Sequence, residues 1–173
     1  MKVRPAVSLV FCLAAGCARG ERAPTSQPLP DPASVAAARA AANSLGADLA
    51  GMLTRALQEG SPETAIVLCA DSAQVRTARY SMNGVYVRRI GTRVRNPANQ
   101  PDSVESAVLV AFAAAKAAGK LPADTTFVAT GPGGAAELHF LRPVLVGQPC
   151  LACHGNPATI APAVRTIITA RYP

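Results

Sequence analysis

Apolar positions recur with helical spacing where the folded part of the chain begins. Val35, Ala38, Ala42, Leu45, Leu49, Met52, Leu53 and Ala56 share one face of a 3.6-residue helix. Asp31 ahead of Pro32 supplies an N-cap and a proline at the first helical position, and Gly60 supplies a stop. Ser61-Pro62-Glu63 repeats the start signal, and Ala65, Ile66, Cys69, Ala73 and Val75 carry a second helix to about Tyr80. So short a connection predicts an antiparallel helical hairpin.

The pattern then shortens. Val85-Tyr86-Val87 is β-branched and aromatic, and Gly84 and Gly91 bracket residues 85–90 as a strand. Two prolines and two asparagines make 96–101 a loop, and Asp102 to Glu105 reads as a capping box for a third helix ending near Lys116. Residues 125–130, 137–141 and 144–146 read as strands, 131–134 as a turn, and 162–170 as a short last helix. Helices first, then a small sheet with a helix between its strands, define an α+β class.

Ahead of these elements, Lys2 and Arg4 precede a short acid-free apolar run from Ala6 to Ala15. The run falls well short of the roughly 20 residues that span a bilayer, so residues 1–16 read as an export signal. Leu13-Ala14-Ala15-Gly16-Cys17 resembles a bacterial lipoprotein box, which would make Cys17 a lipid anchor; cleavage near Ala18 into a soluble periplasmic protein is the alternative. Both routes predict the periplasm, with membrane contact only through the anchor. Residues 17–32, rich in Pro, Ser and charge, are a predicted tether. Residues 33–173 form the expected domain.

At 173 residues the chain excludes a large multidomain enzyme, and no Trp with 4 % aromatics leaves stacking grooves poorly supplied. The formal charge is +7, and no acid lies between Asp71 and Asp102, where Arg76, Arg79, Arg88, Arg89, Arg93 and Arg95 cluster. Export and the missing aromatics argue against nucleic acid as a partner. A solvated basic face and a carboxylate-binding role are the two remaining readings. For the second, Arg93 and Arg95 are the candidates, since they border the 96–101 loop and planar guanidiniums suit carboxylates.

The chemistry concentrates in Cys150-Leu151-Ala152-Cys153-His154, a C-x-x-C-H motif. Two thiols three residues apart can each add to one haem vinyl group, and the next residue's imidazole can then bind iron. Cys150 and Cys153 are thus expected to hold one haem c, with His154 as the proximal ligand and the Arg93 and Arg95 guanidiniums as partners for its propionates. Competing readings are a thiol–disulfide motif, a plain disulfide, and a Cys3His zinc site built from Cys69, Cys150, Cys153 and His154. For the second axial position Cys69, His139, Met52 and Met82 are all open, although a lone helical Cys is commonly a small buried hydrophobe.

Three segments carry a resemblance: AIVLCADSA, then VYVRRIGTRVRNPANQPDSVES, then RPVLVGQPCLACHG. Together they resemble the Tll-like family of single-haem c-type, PAS-like domains, over residues 35–173. Arg95, Asn96, Pro97, Asn99, Pro101 and Glu105 match its internal signature and Gly155 extends the haem motif. The resemblance implies a PAS-like antiparallel sheet and iron held by His154 and Cys69. Family members continue with a further strand, so the domain is expected to lack its last strand beyond Tyr172-Pro173. The expected function is redox or gas sensing or electron transfer, with an unidentified redox partner or small ligand and no catalysis. A peroxidase-like haem enzyme, with His139 as its spare histidine, and a zinc-binding interaction lipoprotein are the alternatives.

Overall fold

A computed structural model of the chain describes residues 29–172. The predicted signal, Cys17 and most of the tether lie outside the described residues. Helix α1, Pro32–Glu59, starts where the sequence places it, with the Asp31 carboxylate accepting from the Ser34 amide at 2.9 Å. Helix α2, Pro62–Ala78, opens on Ser61 in the same way. The link at Gly60-Ser61 turns α2 back along α1, and Arg76 near its end reaches Asp48 at 2.6 Å. The buried residues of the pair are Leu45, Met52 and Ala56 on α1 and Ala65, Ile66, Ala73 and Thr77 on α2, with Ile66 clustering with Ile160 and Val164. Thr77 is the polar member, and its hydroxyl donates to the Ala73 carbonyl at 2.7 Å, so its burial leaves no unpaired donor.

Helix α3, Ser103–Ala117, carries the predicted capping box: Asp102 accepts from the Glu105 amide at 2.8 Å, and Glu105 accepts from the Asp102 amide at 2.9 Å. Strands β1, Thr125–Thr130, and β2, Ala136–Leu141, pair antiparallel with Thr125 opposite Leu141 and Thr130 opposite Ala136. Arg39 fastens this hairpin to α1 with two 3.0 Å bonds to Asp124, its guanidinium 5.5 Å from the Phe140 ring centroid. The fold is therefore α+β: five helices and one two-stranded sheet among the described residues. No helix among them is long and apolar enough to cross a membrane.

Two expected strands do not form. Residues 85–90 form no strand, and the Val87 amide donates instead to the Ser81 hydroxyl at 2.9 Å. Residues 144–146 also pair with nothing, and Val144 is 88 % exposed. β-branched composition describes fitness for a sheet face, and without a partner the same residues stay irregular. One helix was not expected. Helix α4, Gln148–His154, holds the whole C-x-x-C-H motif, entered through Gly147 with Pro149 in its first turn and closed by Gly155. The last helix, α5, Pro162–Arg171, runs as predicted and packs on α2.

Candidate haem-attachment site

A single helical turn places Cys150, Cys153 and His154 together. Residues three and four apart in a helix share a face, so both sulfurs and the imidazole lie along one side of α4. Cys153 packs against the Ile66, Ile160 and Val164 cluster, which ties the motif to α2 and α5. Cys150 is half-buried, and His154 keeps an open side to solvent. Cys69, Cys150 and Cys153 are all free thiols, so the disulfide reading is not realised.

The C-terminal end of α4 is held by arginines. Arg93 donates from Nη1 to the Gly155 carbonyl at 3.0 Å and from Nη2 to the His154 carbonyl, and Arg95 donates to the Cys153 carbonyl at 2.5 Å. These carbonyls form the negative end of the helix dipole, where a cation is favoured. Arg93 and Arg95 thus grip the backbone of the motif. That role was not legible from the sequence, since the partners lie about sixty residues away along the chain.

The signature loop braces this grip. Asn96 caps the 3-10 turn Pro97–Asn99 by accepting from the Ala98 amide at 2.9 Å. The Asn99 side-chain oxygen accepts from Gln74 of α2 at 2.8 Å. Glu105, besides capping α3, stands 3.6 Å from Arg88. The segment from Arg88 to Glu105 therefore links α2, α3 and α4 without forming a strand.

Cys69 lies on α2, the helix against which α4 and Cys153 pack, and is half-buried. Burial pushes its thiol above the ordinary range, and the nearby Arg89 guanidinium works in the opposite direction. Cys153 is likewise raised by burial, with Arg95 opposing and the Cys69, Cys150 and Glu63 side chains adding to the rise. His154 is lowered, first by burial and then by the positive charges of Arg95, Arg93 and Arg89. A lowered imidazole is a neutral one at physiological pH, the form that donates to a metal.

The other candidate ligands sit elsewhere. Met52 is buried between α1 and α2, Met82 is 58 % exposed, and His139 stacks on its cross-strand neighbour Phe127 at 5.1 Å between ring centroids. His139 thus serves the hairpin, which packs on α1. Among the described residues no three His, Cys, Asp or Glu side chains converge to hold a metal ion, so the Cys3His set is not assembled. Two open grooves mark the surface, one lined by Val67, Leu68 and Ile167 among others and one by Val94, Leu109 and Val110 among others. No motif residue lines either.

An α+β domain whose helix α4 carries two free thiols and a histidine on one turn, gripped by arginines, belongs among cytochrome-like proteins. The Tll0287-like family model matches residues 24–173, and the chain belongs to the Tll0287-like family. That family is not known as one of enzymes. Comparisons with curated proteins and with solved structures each returned no match.

Proposed function

We propose that this protein is an exported monohaem c-type cytochrome that transfers electrons or senses a redox or gaseous signal. The observation that carries the reading is the placement of Cys150, Cys153 and His154 on one turn of α4 with both thiols free. Each thiol would add across one vinyl group, its hydrogen going to the vinyl carbon, so no leaving group is required. His154 and Cys69 would then be the protein's ligands to its iron. A bound haem supplies a one-electron Fe(III)/Fe(II) couple, and thiolate ligation opposite His favours the ferric state relative to His/Met ligation.

Three features of the site suit that cofactor. The donors match its chemistry, the exposed Val144, Leu145, Val146 and Leu151 give an apolar surface beside the motif, and the buried Nε atoms of Arg88 and Arg89 have no hydrogen-bond partner among the described residues. The PAS-like part of the reading rests on family membership and on the antiparallel hairpin carried by α1. Periplasmic localisation and a lipid at Cys17 complete the proposal, resting on the sequence signal alone.

The test is a spectrum of the full-length protein expressed with haem-maturation machinery, compared with Cys69→Ala. A reduced alkaline pyridine α band of one haem per chain, and loss of the low-spin thiolate signature in the variant, are the expected results. A colourless wild type defeats the haem assignment; an unchanged low-spin signal in Cys69→Ala defeats Cys69 as ligand.

A further inference from the structure

Helix α4 has little of its own to hold it. It is seven residues long, none of them buried, and no side chain caps its start at Gly147. A helix shorter than about 12 residues is marginal in water without outside support. Cys153 is its side-chain hold on the Ile66, Ile160 and Val164 cluster, and that sulfur is one of the two proposed to carry haem. At the far end, the carbonyls of Cys153, His154 and Gly155 are acceptors that a helix leaves unmet. All three are satisfied from a distance. Arg93 spans the His154 and Gly155 carbonyls, at 3.0 Å from the second, and Arg95 reaches the Cys153 carbonyl at 2.5 Å. These donors stand 58 to 62 positions earlier in the chain, so the fold itself delivers them to the motif.

We infer that Arg93 and Arg95 are positioning residues for haem attachment: bonded to the carbonyls of residues 153–155, they set the C-x-x-C-H turn in the chain before haem arrives. The inference rests on the haem reading above and deepens it by saying what readies the motif. Attachment is redox-neutral. Each S–H adds across one vinyl C=C, so a C–S bond forms and the hydrogen goes to the neighbouring carbon. Its demand is geometric: both sulfurs and the imidazole must face one porphyrin, and groups already held in place react as if at high local concentration. A guanidinium engaged with backbone carbonyls is also not free for a carboxylate. Arg93 and Arg95 therefore serve the conformation of the motif, and the propionates of a bound haem fall to other groups or to solvent.

The experiment compares full-length wild type, Arg93→Gln, Arg95→Gln, the double Gln variant and Arg93→Lys. Arg79→Gln, at an exposed arginine of the same acid-free stretch, is the control for lost charge. In haem-free chains, amide exchange across residues 150–155 should quicken about tenfold in the double variant while α1 and α2 keep their protection. Should the double variant unfold throughout, each single variant carries the same comparison at a smaller amplitude. Coexpressed with haem-maturation machinery, the double variant should hold at most about half the haem per chain of wild type. The fraction that loads should keep the wild-type midpoint potential. Arg93→Lys keeps the charge but offers a point donor in place of a fork across two carbonyls, so it should recover only part of the loading. Unchanged exchange, full loading of the double variant, full recovery by Lys, or an equal loss in Arg79→Gln each overturns the inference. Full loading with a shifted potential would place these guanidiniums on the propionates instead. A colourless wild type is a failure of the underlying haem reading, seen before any arginine variant is made.

Discussion

Gly155 closes the motif helix, and replacing it with Ala tests how that helix is held. Gly155 is buried, and its amide donates to the Leu151 carbonyl at 3.0 Å. A Cβ at this position would stand 2.4 Å from the Leu151 carbonyl oxygen. Carbon atoms keep about 3.3 Å or more from a carbonyl oxygen, so the turn must open by close to an ångström. Opening it weakens the amide bond to Leu151, at about 0.5–1.5 kcal/mol, and pulls the Gly155 carbonyl away from Arg93. Arg93 is exposed, so that second loss belongs near 1 kcal/mol. The stiffer unfolded chain of the Ala variant returns about 0.4–1 kcal/mol. A net loss of about 1–2 kcal/mol remains, or roughly 3–6 °C in melting temperature for a chain this long. Gly46→Ala is the control. Gly46 lies inside α1 with open space where a Cβ would go, so the substitution should raise stability by about 0.5–1 kcal/mol. Thermal unfolding of both variants without haem reads the contrast directly. If Gly155→Ala melts at or above the wild-type temperature, the close approach to Leu151 is not a constraint and the clamp reasoning is wrong.

The remaining predictions concern the scaffold. Met52 is 3 % exposed between α1 and α2, so Met52→Ala should cost about 2–5 kcal/mol, seen as a lower urea midpoint at unchanged slope. Asp124 has its carboxyl held below the usual 3.8 first by the Arg39 hydrogen bonds, with the charges of Arg39 and Arg142 adding. Its contribution is present above that pH and is lost as pH falls below it through the depressed folded value. Asp124→Asn should therefore be less stable than wild type near neutrality and converge with it once the pH falls below the depressed folded value in acid titrations; curves parallel throughout would refute the pairing.

What the sequence made legible was local. Asp31-Pro32, Ser61-Pro62 and Asp102 with Glu105 each announce a helix through a side chain that satisfies amides within the next turn, so no distant residue is needed to read them. The β1–β2 hairpin was readable for a similar reason, its strands being joined by the 131–134 turn. Residues 85–90 and 144–146 have the composition of strands, yet a strand exists only with a partner, and pairing is not written in one segment. Helix α4 could have been read: Pro149 after Gly147 and the stop at Gly155 are the same punctuation that marked α1 and α2.

The acid-free stretch from Asp71 to Asp102 takes on a physical reason once those contacts are known. Arg93 and Arg95 donate to backbone carbonyls, which are weaker acceptors for a guanidinium than a carboxylate is. An Asp or Glu placed among residues 90–95 would compete for the same donors and draw them off the motif helix. Glu105 illustrates the effect at a distance that does no harm, since it occupies Arg88 and leaves Arg93 and Arg95 free for α4. Excess positive charge here is thus a condition for gripping a neutral peptide backbone, rather than evidence of a nucleic acid or another polyanion. The same charges add to the lowering of His154, whose first cause is burial, because cations recruited to hold its carbonyl bear on its imidazole as well. One set of arginines therefore both anchors the backbone at His154 and acts on its ring.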